Sequence, residues 1–88
     1  MRIKTSAGNE YGVDWIDTPV QNKNRLLLQM QTERTLAQIV TEFDGLEWIE
    51  RYDEYQGDKR YEGFNRLVMA KMESGMVIII MERGSENA

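Results

Sequence analysis

Thr35-Leu36-Ala37-Gln38-Ile39-Val40-Thr41-Glu42-Phe43-Asp44-Gly45 is the stretch on which the fold turns. Thr35 followed three residues on by Gln38 forms a capping box: the threonine hydroxyl accepts from an early helical amide, and the glutamine reaches back to the cap. Leu36, Ile39, Val40 and Phe43 recur at i, i+3, i+4 and i+7 as one apolar stripe, and Gly45 stands where a left-handed residue ends a helix. A helix of about ten residues is not stable alone. It needs a sheet to receive its stripe, and the rest of the chain must supply one.

Upstream, the pattern has a period of two. Met1, Ile3 and Thr5 alternate with Arg2, Lys4 and Ser6. Gly8-Asn9 then makes a tight hairpin turn. In the next strand Tyr11, Val13 and Trp15 share one face, and their bulk makes it the expected core face. Asp17-Thr18-Pro19 ends this run, since proline has no amide to donate, and residues 18–24 read as a polar loop. A third strand over residues 25–31 sets Leu26, Leu28 and Met30 against Leu27, Gln29 and Gln31.

Downstream of the helix, Leu46, Trp48 and Ile49 open a fourth strand that continues towards Tyr52 and Tyr55. Gln56-Gly57-Asp58-Lys59 connects it to a fifth, over residues 61–72. There Phe64, Val68, Ala70 and Met72 face one way, Leu67, Met69 and Lys71 the other, and Gly63 marks a bulge or bend. After Ser74-Gly75, the segment Met76-Val77-Ile78-Ile79-Ile80-Met81 is apolar on both faces and is expected as a central strand covered on both sides. Residues 84–88 form a frayed polar tail. The expectation is a single α+β domain over residues 1–88, with a mostly antiparallel sheet in the order βββ-α-βββ and one short amphipathic helix packed on it.

The 88 residues carry a formal charge of −4, and 30% of them are charged, which suits one globular domain with a charged surface. Cysteine and histidine are absent. Their absence removes disulfides, thiolate nucleophiles, imidazole bases and the usual zinc ligands. The first residues lack the apolar run of a signal peptide, no stretch reaches the ~20 apolar residues of a membrane span, and a cytoplasmic protein is expected. Lysine and arginine are scattered and the net charge is negative, which argues against binding a phosphate backbone.

The segment Thr35-Leu36-Ala37-Gln38-Ile39-Val40-Thr41-Glu42-Phe43-Asp44-Gly45-Leu46, with Ile49, Tyr61-Glu62-Gly63-Phe64, Leu67, Val77, Ile79 and Arg83, resembles a pattern in small uncharacterised proteins encoded in phages and prophages of Gram-positive bacteria. It spans the C-terminal two-thirds of the chain. The resemblance implies a small accessory or assembly protein located in the bacterial host cytoplasm or with the virion. It implies no catalytic residues, and it favours self-association or a protein partner.

The residues themselves offer few sites. The carboxylates Asp14, Asp17, Asp44, Glu47, Asp53, Glu54, Asp58 and Glu62 are the pool for acid and base work, and their spacing singles out no pair. Asp53-Glu54-Tyr55-Gln56-Gly57-Asp58 lacks the ligand spacing of an EF-hand, and no glycine pattern cradles phosphate, so no metal, cofactor or small-molecule ligand is expected. Aromatic and basic side chains do mix around the second hairpin. Arg51, Tyr52, Tyr55, Lys59, Tyr61 and Arg66 either brace that hairpin by cross-strand pairing or form a partner-binding surface. Three functions follow in order: a non-enzymatic protein acting through protein contacts, a host-directed inhibitor or nucleic-acid-associated regulator, and a carboxylate-dependent hydrolase. An uncovered first or third strand would add a route to dimers by strand addition.

Overall fold

The computed structural model describes residues 1–19, 21–53 and 57–84. Along the chain run β1 (Arg2–Thr5), β2 (Glu10–Asp17), β3 (Arg25–Gln31), α1 (Leu36–Phe43), β4 (Trp48–Tyr52), β5 (Lys59–Glu62), β6 (Arg66–Glu73) and β7 (Met76–Glu82). Every strand pairing is antiparallel. The fold is α+β, one helix on an antiparallel sheet, as the periodicities imply. The stretch over residues 61–72 breaks in two at Gly63, whose φ of +84° lies in the left-handed region, so four strands follow the helix.

The seven strands lie in the order β5-β4-β1-β2-β3-β7-β6. Its two edge strands, β5 and β6, are consecutive in sequence, joined only by Gly63-Phe64-Asn65. Such a link reaches at most ~14 Å, whereas the edges of a flat sheet of this width would stand ~29 Å apart. The sheet therefore has to curl. The seam is tied by Gly63, whose amide donates to the Glu47 carbonyl at 3.3 Å while its own carbonyl accepts from the Gly84 amide at 3.0 Å. Phe64 drops from the seam into the core with 2% of its surface exposed, and the Arg83 guanidinium lies 4.2 Å over its ring.

The core fills the concave side. Ile3, Leu26, Leu28, Met30, Ile49, Val77, Ile79 and Met81 are fully buried there with Ile39 and Phe43 of the helix. The capping box is formed in full: Gln38 N donates to Thr35 Oγ1 at 3.2 Å, and Thr35 N donates to Gln38 Oε1 at 3.0 Å. Gly45, at φ +90°, turns the chain out of the helix, and its amide donates to the Asn65 carbonyl at 2.8 Å. Val40 points the other way and is exposed, so the stripe that packs is Leu36, Ile39 and Phe43. No helix among the described residues is long and apolar enough to cross a membrane.

Four expectations change. A β-bulge at Asp14 puts two residues of β2 opposite one of β3, which reverses the faces beyond it: Trp15 turns outward, 52% exposed, and Ile16 enters the core. A second bulge at Val68 exposes that side chain and puts Leu67 and Ala70 against the core. Met72 stays in register with buried Val77 yet keeps half its surface exposed, so it is not core. Lastly, β7 lies between β3 and β6 and buries Val77, Ile79 and Met81, but among the described residues no layer covers the face bearing Ile78 and Ile80. β1 and β3 are both interior strands, so neither offers a free edge. The true edges are blunted, β5 by its four-residue length and β6 by its bulge and by α1 packed beside it.

Candidate interaction surface

Residues directly opposite in an antiparallel pair share a face, so the register assigns every outer side chain. On β1, β4 and β5 the convex face is charged. Arg2 lies opposite Tyr52, Lys4 opposite Glu50, and Glu50 opposite Arg60. Tyr52 donates to Glu50 at 2.7 Å, the main reason the Glu50 carboxyl is held below its ordinary pKa, and Arg60 approaches the same carboxylate at 3.3 Å. The Arg60 guanidinium also lies 4.4 Å over the Trp48 ring. This half of the face is satisfied within the chain.

The other half differs in kind. Across β3, β7 and β6, Leu27, Ile80 and Met69 stand side by side in one row; in the next, Trp15, Gln29, Ile78 and Lys71 do so from β2 to β6. Leu27, Met69, Ile78 and Ile80 are partly buried by one another and lie outside the core cluster. A solvated sheet face is ordinarily polar, so an apolar strip at its centre sets this half of the face apart. One end of the strip is bounded by Glu82, which pairs with both Arg25 and Arg66.

The six residues of the aromatic and basic cluster do not form one surface. Arg51, Lys59 and Tyr61 sit on the concave side at its rim, where Arg51 donates to Tyr61 at 3.5 Å and to Asp53 at 2.7 Å. Those hydrogen bonds, Tyr61's first, raise the Arg51 pKa further. Tyr52 is on the convex face of β4, and Arg66 is on the convex face of the opposite edge strand. Tyr55 lies outside the described residues, as do Glu54 and residues 85–88 of the polar tail.

Sequence reasoning missed Glu42. Its side chain, 5% exposed, hangs from α1 over the first hairpin and accepts from Thr5 Oγ1 at 2.8 Å, Asn9 Nδ2 at 2.7 Å and Tyr11 OH at 2.6 Å, with Arg34 Nη1 at 3.3 Å. Burial, then the hydrogen bond and charge of Glu42, push the Tyr11 hydroxyl far above the ordinary tyrosine range. The signal is weak: Glu42 precedes Phe43 of the stripe, but its partners on the first hairpin, Thr5, Asn9 and Tyr11, are more than thirty residues away. The cluster fastens the helix to the sheet by polar contacts where the stripe fastens it by apolar ones.

Two open clefts flank these features. One of about 610 Å³ lies at the seam and is lined by Glu47, Trp48, Glu62, Asn65 and Arg83; another of about 420 Å³ lies beside Arg34 and Glu42. The carboxylates of the first, Glu47 and Glu62, are exposed. Among the described residues no group of three His, Cys, Asp or Glu side chains converges to hold a metal. No protein-family model, curated protein or solved structure matches the chain.

Proposed function

We propose that this chain is a non-enzymatic accessory or assembly protein, of the small phage and prophage kind that its C-terminal two-thirds resembles, acting through protein contacts in the bacterial cytoplasm or on the virion. The observation that carries the reading is the uncovered strip of Leu27, Ile78, Ile80 and Met69 with Trp15 at its border. Aromatic, branched and methionine side chains at the centre of a contact, with charges at its rim, are the usual anatomy of a protein interface.

The test is photo-crosslinking in the cells that make the protein, with a benzophenone side chain at position 78 and, as control, at position 4 on the charged half of the same face. Adducts to protein are expected at 78 and not at 4. No adduct at 78, or equal yields at both, would refute it.

The regulator reading has one observation in its favour, the Arg60–Trp48 stack beside Arg2 and Lys4. Glu10, Glu50 and Glu62 interleave those residues and repel a phosphate backbone.

A further inference from the structure

We propose that the partner of the convex apolar strip is a second copy of this chain, laid face to face about a two-fold axis that runs along the strands; this rests on the reading of that strip as the contact surface.

The argument comes from the placement of charge. On the β2 side of the strip stand Asp14 and Asp17, both exposed and without a basic partner among the described residues. The β6 side carries Arg66, 60% exposed, and Lys71, 51% exposed and paired with Glu73 of the same strand at 3.0 Å. Arg66 shares the single carboxylate of Glu82 with Arg25, so that end of the strip keeps one uncompensated positive charge. The surface is thus acidic along the β2 border, while the β6 border keeps its uncompensated positive charge at the Arg66 end.

A two-fold interface brings a surface onto itself, and two axes in the plane of contact are compatible with aligned sheet packing. An axis across the strands sets β2 on β2, with Asp14 and Asp17 facing their own copies. An axis along the strands sets β2 on β6. Rows are then kept and their order is reversed. Leu27 meets Ile80 of the second copy at the centre, Asp17 comes over its Met69 with the long side chain of its Arg66 in the adjoining row, and exposed Trp15 lies over its Lys71, an ammonium on an indole. This axis brings Asp17 towards the uncompensated charge at Arg66, whereas the other sets acid against acid.

The size of the face sets the strength. Four strands of this length present roughly 19 by 23 Å, about 440 Å² per copy, below the ~800 Å² per partner of a standard stable interface. The dimer should therefore dissociate on dilution.

Sedimentation equilibrium across a concentration series tests this, with Asp17→Arg and Arg66→Asp as variants; both positions are exposed, and Glu82 keeps Arg25 at 3.1 Å when Arg66 is changed. Wild-type protein is expected to pass from monomer to dimer. Each variant alone should associate about tenfold more weakly, because two symmetry-related contacts become repulsive. An equimolar mixture of the two should regain wild-type affinity, since every 17–66 contact in the mixed dimer is again between opposite charges. A mixture as weak as the single variants would overturn the proposal. So would stronger association of Asp17→Arg with wild type, which is the signature of the other axis. A chain that stays monomeric to roughly 1 mM while position 78 still crosslinks to a different protein would overturn the second copy and leave the contact surface standing. Absence of any adduct at 78 would overturn both.

Discussion

Replacing Glu42 with alanine perturbs the point where helix and sheet are joined by charge. The variant loses the acceptor of three hydrogen bonds, from Thr5, Asn9 and Tyr11, and the counter-ion of Arg34. A hydrogen bond to a charged group contributes about 1.5–3 kcal/mol, but Arg34 is 38% exposed and Asn9 borders open solvent, so both can rehydrate. Thr5 and Tyr11, at 0% and 5% exposure, cannot. Leaving these two donors unmade, less the favourable removal of a buried charge, gives a loss of about 3 kcal/mol. That is a large share of the ~4–13 kcal/mol expected for a domain of 88 residues. Urea denaturation followed by tryptophan fluorescence measures it, and a cycle with Tyr11→Phe should return a coupling of about 1–2 kcal/mol. A loss below about 1 kcal/mol, or no coupling to Tyr11, would refute the claim that Glu42 anchors the helix.

Phe43→Ala should cost about 3–5 kcal/mol by opening a cavity beside Tyr11, whose ring centroid is 5.6 Å away; calorimetry showing less than 1 would mean the stripe is not buried. Thr35→Ala removes the helix cap and should cost about 1 kcal/mol in the same assay. The tyrosines should titrate unequally in ultraviolet absorbance. Tyr11, whose folded pKa is raised, holds its proton while an unfolded tyrosine would release it near pH 10, so stability falls as pH climbs past that point and Tyr11 ionises only as the chain opens. Early ionisation of all four tyrosines with the fold intact would contradict the hydrogen bond to Glu42. Trp15→Ala should leave stability within about 0.5 kcal/mol, because that side chain sits outside the core.

The elements that local chemistry specifies were legible in the sequence. The capping box at Thr35 and Gln38, the alternation of Leu26, Leu28 and Met30, and the hairpin break at Gly8 each declare themselves within a few residues, although the turn itself is centred on Ser6-Ala7, with the Gly8 amide donating to the Thr5 carbonyl. What lay beyond reach depends on strands that are distant in sequence. A bulge shifts the two-residue period by one, and nothing in Val13-Asp14-Trp15 or Leu67-Val68-Met69 marks where the extra residue falls, so plain alternation assigns Trp15 and Val68 to the core face that the structure denies them. The double-sided apolarity of β7 suggests burial on both sides because a strand covered on both faces and a strand with an apolar outer face look alike in composition. The Glu42 cluster and the separation of Arg66 from Arg51 and Tyr61 follow from strand order, which residue spacing does not encode.

Ile79 and Ile80 are neighbours with opposite assignments, the first fully buried on the concave face and the second on the convex strip. Placing lysine at each in turn, and following unfolding and self-association together, separates the two faces more directly than any other measurement. Ile79→Lys should fail to fold, because a charge enters the core without a partner, whereas Ile80→Lys should fold with stability within about 1 kcal/mol of wild type and lose its association. Equal damage to folding from both, or an Ile80→Lys protein that associates as well as wild type, would contradict the account.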